Sequence, residues 1–422
     1  MNFLKQAPAC WLSASLLLAG GSAWAQPQAV EMAASTALPA VTLQTALAQA
    51  MAQNPGLRAA QQAVAASEGA MIQSQARPNP ELAFSQEDTR RATRSSSLQW
   101  NQPIEIGGKR AARMKVAEHG VELARAELDT ARAALRADVR AAFANLLAAQ
   151  QRVQLNEKTL EIAAQARDAA AKRVMAGKAA PLEETKAQVA ESSAQLALNQ
   201  AQSGLRVARQ QLALLWGGSG IAVGEAMGDM VQLPQLPPQE QLLQKVEHSA
   251  QVVRAQQAYL QAKSTAELER AKRLPDPTVS VGIKRAEEAG RNQLLLGVSI
   301  PLPILDSNRG NQLQALRLAD KAEDELLAAR QLAQAQLLQN YEQLQTSRAQ
   351  TLQLQSKVLP GAQSAYEVAA KGFSLGKFSY LDVLDAQRTL ADARSLYLDQ
   401  LVATHRAAAD ITRQLGDIPG LE

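Results

Sequence analysis

The chain has 422 residues, with 44 Lys and Arg against 40 Asp and Glu and a formal net charge of +4. Acids and bases are interspersed, which argues against the clustered basic stripe that nucleic-acid binding needs. Aromatics make up only 3% while Ala, Gln and Leu dominate, a composition that favours extended helices packed at close distance over a compact globular core.

Residues 1–25 read as an export signal. Lys5 gives a cationic start, Trp11 to Gly20 an apolar core, and Ala23-Trp24-Ala25 a small-x-small cleavage site before Gln26. The apolar run is too short to span a bilayer. Cys10, the single cysteine, lies inside this segment, and no lipid-attachment cysteine follows it. Disulfides and thiolate metal sites are therefore not expected after cleavage. Beyond residue 25 no apolar run approaches the ~18 residues of a transmembrane helix. An exported chain of this kind is either soluble in the periplasm or crosses a membrane as a β-barrel.

Residues 26–40, rich in Ala, Pro and Gln, read as a flexible or extended leader. Val41 to Ala76 is helical with a break at Asn54-Pro55, because proline removes a donor and drives its predecessor out of the α region. Two short alternating stretches follow. Leu82 and Phe84 oppose Ala83 and Ser85; Leu98 and Trp100 oppose Ser97, Gln99 and Asn101. Period 2 predicts strands with one apolar and one small or polar face, here a β-hairpin over 81–104. Residues 277–302 repeat the pattern, with Val279, Val281 and Ile283, then Leu294, Leu296, Val298 and Ile300. The connecting loops at 87–96 and 286–292 are strongly polar.

After each hairpin a very long helix is expected, from about Gly108 to Met175 and from about Ser307 to Ser374. At ~1.5 Å per residue such a helix is on the order of 100 Å long. Leu135, Val139, Ala142, Leu146, Ala149 and Val153 alternate by four and three along the first of them. Gly177 and Gly376 are natural C-terminal stops. Helices return at about 180–215 and 379–416. Between the halves, residues 216–239 are rich in Gly and Pro; a domain linker is one reading and a partly ordered collar beside the helices the other. The tail after Gly416 is expected to be short and irregular.

The chain thus says nearly the same thing twice. ARPNP (76–80) answers KRLPDP (272–277), QPIEIGGKR (102–110) answers IPLPILDSNRG (300–310), and AAKRVMAGKAAPLEE (170–184) answers AAKGFSLGKFSYLDV (369–383). Two repeats are expected over 41–215 and 241–416, joined by 216–240 and followed by the tail 417–422. Four strands of this length cannot close a barrel alone, but their alternation suits a lipid-facing wall. Three chains would supply on the order of twelve strands and leave no open edge in lipid. The long helices would continue the wall as a periplasmic tube. An ordinary two-layer α/β protein is the other reading, although helices of this length have no small sheet to pack on.

The repeated plan, NPGL (54–57), PNPEL (78–82), PDPTVSV (275–281) and GFSLGKFSYLDVLDAQ (372–387) together resemble the TolC-type outer-membrane efflux family over essentially the whole processed chain. Within it, QPIEIGGKRAAR (102–113) and LGVSIPLPILDSNRGN (296–311) are most similar to the outer-membrane subunit of Czc-type cobalt–zinc–cadmium efflux systems. The resemblance implies a mainly α protein with a small β part. Long antiparallel helical hairpins would form a periplasmic tunnel below a trimeric outer-membrane barrel in contact with lipid. It also implies docking with a periplasmic adaptor (membrane fusion protein) and, through it, an inner-membrane resistance-nodulation-division pump. The chain would be a passive exit duct for divalent heavy-metal cations. A duct for drugs or secreted proteins is the alternative within the class, and a periplasmic adaptor or structural coiled coil the alternative outside it.

Asp382 and Asp385 lie three residues apart on one helical face just after a tip turn. The resemblance implies that they narrow the periplasmic entrance, and the repeat aligns Glu183 with Asp382 and Lys186 with Asp385. A trimer would then present a mixed ring whose acids attract cations; solvated surface carboxylates are the plainer alternative. Gly177, Lys178, Phe373, Leu375, Gly376, Lys377, Phe378 and Ser379 would form the hairpin tips, which the resemblance makes the adaptor-docking surface. Gly107-Gly108-Lys109 lacks the spaced first glycine and following Ser/Thr of a phosphate loop. Arg110, Arg113 and Lys115 suit either the inner membrane edge or a solvated basic face. His119, His248 and His405 have no ligand partner at helical spacing, so no metal or other cofactor is expected. Met114, Met175, Met227 and Met230 are scattered and read as packing residues. No nucleophile–base pairing can be assembled, so no enzyme activity is expected.

Overall fold

The computed structural model describes residues 40–218 and 223–421. The expected export signal, Cys10 and the leader up to residue 39 lie outside the described residues. Helix α1 (Leu43–Gln53) ends at Asn54, whose side chain accepts from Leu57 N–H (2.9 Å) and so caps α2 (Pro55–Gln75), with Pro55 in the first helical position. The break therefore re-caps a new helix at once. Strands β1 (Glu81–Glu87) and β2 (Ser95–Pro103) lead into α3 (Lys109–Met175), a helix of 67 residues. Helix α4 (Pro181–Leu214) returns along it.

The second half opens with a short α5 (Gln239–Gln244) and α6 (Ala250–Ala271), then β3 (Thr278–Ala286) and β4 (Arg291–Ser299). Here the structure corrects one expectation. The second long helix is not continuous: α7 (Arg309–Gln353) gives way to a π turn at Leu354–Val358 before α8 (Leu359–Ser374). Pro360 has no N–H to donate, and its ring crowds the carbonyl four residues back, so the turn widens. Leu359 N–H reaches back five residues to Leu354 C=O. Helix α9 (Tyr380–Leu415) returns along α8 and α7.

The four strands form one antiparallel sheet in the order β1-β2-β3-β4, so β2 and β3 join the two halves while β1 and β4 are edges. Leu82, Trp100, Val281 and Leu296 form one cross-strand row, and Phe84, Leu98, Ile283 and Leu294 the next. Every one of these side chains is exposed. The opposite face carries Ser85 bonded to Ser97 (2.8 Å) and Lys284 paired with Glu87 (2.8 Å). Gly282 sits where a Cβ would lie 2.7 Å from Leu98 C=O, so a side chain there would push β2 and β3 apart.

Helix α3 is the central strut, packing against α2 and α4 of its own half and α6 and α9 of the other. Ala137, Ala144, Ala148, Ala163 and Ala170 are buried along it, the small residues that let these helices approach closely. Leu135, Val139 and Leu146 of the heptad-like series are buried in the same core. The described part of the Gly/Pro-rich segment after residue 222 packs beside the helices. Val223, Ala226 and Met230 are buried with α1 and α3, and Val41 and Ala226 form a parallel bridge flanked by Val41 N–H to Glu225 C=O (2.8 Å) and Met227 N–H to Val41 C=O (2.9 Å). The tail is irregular and also packed: Ile418 and Leu421 are buried, Gln235 N–H donates to Gly420 C=O (2.7 Å), and Asp417 pairs with Arg136 (2.6 Å) and Arg140 (3.1 Å). Among the described residues no helix is long and apolar enough to cross a membrane.

Candidate functional site

Both helical hairpins turn by the same closure. In the first, Gly177 has φ 67°, its N–H donates to Val174 C=O (2.9 Å), and Lys178 N–H donates to Arg173 C=O (2.9 Å). In the second, Gly376 has φ 72°, its N–H donates to Phe373 C=O (2.9 Å), and Lys377 N–H donates to Gly372 C=O (2.8 Å). These are Schellman turns, which satisfy the last carbonyls of a helix and need a residue at ease with positive φ. Gly372 also clears a seat for Phe378, since a Cβ there would fall 2.0 Å from the Phe378 ring. Leu375 (63% exposed), Phe378 (45%), Lys377 and Ser379 are on the surface of this tip, as are Gly177 and Lys178 on the other. Phe373 is half-buried: the Arg173 guanidinium lies 4.7 Å over its ring, and the Tyr380 ring lies 6.0 Å away, tilted by 57°.

Tyr380 was not singled out in the sequence, yet it is 2% exposed and forms one buried cluster with Ala170 of α3 and Ala187 of α4. Burial raises its phenol pKa. The start of α9 is thereby seated on the first hairpin, with Ala166, Phe373 and Leu384 around it.

Asp382 serves first as a helix cap. Its carboxylate accepts from the Ser379 hydroxyl and from Ser379 N–H (2.8 Å each), and Asp382 N–H returns to the Ser379 oxygen (3.3 Å). These bonds, the hydroxyl one foremost, hold its carboxyl below the ordinary Asp value of 3.8. The Ser-x-x-Asp spacing was the signal for this reciprocal cap. Asp385, one turn on, is exposed and makes no ion pair or hydrogen bond among the described residues. Glu183 and Lys186 are half-buried in the first turns of α4, where Pro181 occupies the first position and no side chain caps the helix.

At the opposite end of the helices, the strand-to-helix joints are fastened by polar side chains. Arg113 grips Glu105 with both terminal nitrogens (2.5 and 3.2 Å) and donates to Ser74 C=O (3.0 Å) and Ala76 C=O (2.8 Å), while Arg110 donates to Gln75 C=O (2.9 Å). These two arginines thus satisfy the open carbonyls at the end of α2. Lys115 pairs with Glu267 (3.5 Å). Lys109 pairs with Asp276 (2.8 Å), whose carboxylate also accepts from Ile106 N–H (2.9 Å). Gly107 and Gly108, both at φ 73°, make the bend.

No group of three or more His, Cys, Asp or Glu that could hold a metal ion occurs among the described residues. His405 contacts Met230 C=O (3.0 Å), tying α9 to the connector. Met230 is buried in the core, whereas Met175 and Met227 are exposed in the single chain.

Comparison with known proteins agrees with this architecture. The family model for "Outer membrane efflux protein" matches residues 46–218 and 242–417. The cobalt-zinc-cadmium resistance protein CzcC of Cupriavidus metallidurans is 46% identical over 376 residues, covering 89% of this chain and 90% of that protein. Two solved structures share the fold. CusC superposes with a TM-score of 0.70 at 20% identity, covering 90% of this chain and 93% of its own. The outer membrane protein VceC of Vibrio cholerae does so with 0.75 at 17%, covering 90% and 97%. With two long hairpins, one small sheet and a family model that takes in both halves, the chain belongs to the outer membrane efflux protein family.

Proposed function

We propose that this chain is the outer-membrane exit duct of a tripartite efflux system whose cargo is divalent heavy-metal cations of the cobalt, zinc and cadmium class. The observation that carries the cargo is 46% identity along 90% of a cobalt-zinc-cadmium resistance protein. Three copies close a barrel from their four-stranded sheets. The exposed apolar face meets lipid and the Ser- and Lys-bearing face lines the lumen. The duct is passive, and a site that held its cargo tightly would slow release.

The tips, with Leu375, Phe378, Lys377, Lys178 and Ser379 on their surface, dock to a periplasmic adaptor that connects to an inner-membrane pump. The constriction at the tunnel entrance is assigned chiefly to Asp385, because the Asp382 carboxylate already accepts two hydrogen bonds from Ser379; Glu183 contributes from α4. Metal and drug susceptibility of a deletion strain, complemented with this gene, tests the reading. Sensitivity to zinc, cobalt or cadmium that complementation removes is expected. Sensitivity to dyes and antibiotics alone would keep the duct and reject the metal.

A further inference from the structure

The apolar face of β4 does not stop where the strand stops. Ile300, Leu302, Ile304 and Leu305 continue it as an exposed segment, with Leu305 at 101% of its full exposure. The matching segment after β2 is anchored. Ile104 N–H donates to Pro277 C=O (2.8 Å) and Ile106 N–H to the Asp276 carboxylate (2.9 Å), so the chain leaving β2 is pinned to the chain entering β3. After β4 the corresponding partner is missing from the single chain: β4 is an edge, and Ile304 N–H folds back on Leu302 C=O (2.9 Å).

The internal repeat says what belongs there. Aligned on shared prolines, Pro103 corresponds to Pro301, and Pro78 and Pro80 to Pro275 and Pro277. Ile104 and Ile106 then correspond to Leu302 and Ile304, while Pro277 and Asp276 correspond to Pro80 and Asn79. Asn79 precedes the other edge strand, is exposed, and offers a side-chain oxygen where Asp276 offers its carboxylate. The same alignment carries the observed pairs Trp100–Val281 and Gln102–Val279 onto Val298–Phe84 and Ile300–Leu82. All four of these residues are exposed on the apolar face. A one-residue slip would turn one strand's apolar side chains inward.

We propose that β4 of one copy pairs with β1 of a second copy in this register, Val298 opposite Phe84 and Ile300 opposite Leu82. The segment 301–306 then acts as an intersubunit clasp, with Leu302 N–H donating to Pro80 C=O and Ile304 N–H to the Asn79 side-chain oxygen. Closure repeats between copies the seam that β2 and β3 make within one. The inference rests on the oligomeric barrel proposed above and adds its register and its clasp.

Disulfide trapping in the full chain, expressed in outer membranes, tests it. The pair Phe84→Cys with Val298→Cys is compared with the two pairs that keep the same face but shift the register, Phe84→Cys with Leu296→Cys and Phe84→Cys with Ile300→Cys. Oxidation is expected to give a reducible intersubunit band with Val298→Cys and to lose it in both shifted pairs. A band in a shifted pair but not with Val298→Cys, from protein that still runs as an oligomer, overturns the register and leaves the barrel standing. Absence of any oligomer, by gel and by amine cross-linking of the unsubstituted chain, overturns the barrel and the register together. For the clasp, Asn79→Leu is expected to lower the temperature at which the oligomer dissociates and Asn79→Asp to preserve it. Equal dissociation temperatures for Leu, Asp and the native chain would overturn the clasp.

Discussion

The two hairpin tips begin from the same closure and diverge one residue later. Each has a glycine at positive φ and the same pair of turn hydrogen bonds. After the first tip, α4 starts with Ala180-Pro181 and has no side-chain cap. After the second, α9 starts with Ser379-Tyr380 and has a reciprocal cap through Asp382. The residue aligned with Pro181 is Tyr380, which packs on Phe373 and Leu384 of its own hairpin and reaches Ala170 and Ala187 of the other. The helix before each tip differs too, α3 running unbroken while α8 follows a π turn. The first hairpin is thus a receiving surface, and the second carries the groups that lock onto it. Duplication supplied one plan, and side-chain changes at aligned positions made the copies complementary.

That contrast can be broken most severely at Tyr380. Tyr380→Ala empties a buried site and is expected to cost about 3–5 kcal/mol, whereas Pro181→Ala, at the aligned exposed position, is expected to change stability by less than about 1 kcal/mol. Urea unfolding of the purified protein in detergent measures both, and equal effects would mean that the hairpins are not asymmetric. Next come the shared glycines. Gly177→Ala and Gly376→Ala each force a side chain into the left-handed region with open space around it, at about 1–2 kcal/mol apiece. These two costs are expected to match, because the turns match.

The smallest effect is at the cap. Ser379→Ala is expected to cost about 1 kcal/mol, with no counterpart from any change at Ala180. It carries a pH signature. The Asp382 pKa is lowered on folding, so its contribution is present above the ordinary value of 3.8 and is lost as pH falls through the lowered one. The stability gap between the native chain and Asp382→Asn should therefore narrow on acidification below that value. A gap that stays constant to lower pH would show that the carboxylate is merely solvated.

Much of this could be read before any coordinates. Period-2 alternation placed all four strands because each strand has one apolar face, and the glycines placed both tips because only positive φ closes those turns. The sequence reading failed where tertiary context decides. Pro360 was visible, but packing of α8 against α9 keeps the chain helical around a local π turn, so neither a break nor an unbroken helix was right. Val223, Ala226 and Met230 follow no helical or strand period, so the sequence left linker and collar open, and their burial against α1 and α3 fits the collar. At the candidate constriction, Asp382 and Asp385 looked equivalent by spacing; their difference lay in Ser379, whose Ser-x-x-Asp signal went unread beside the more conspicuous pair of acids.

The central claim is that this outer-membrane efflux protein forms a conducting tube whose narrowest ring is acidic. Single-channel recording of the purified oligomer in a planar bilayer tests it most directly, with Asp385→Ala beside the native chain. Discrete conductance steps with a preference for cations, weakened in Asp385→Ala, are the predicted result. No steps from a folded oligomer, or steps whose ion preference is untouched by the substitution, would contradict it.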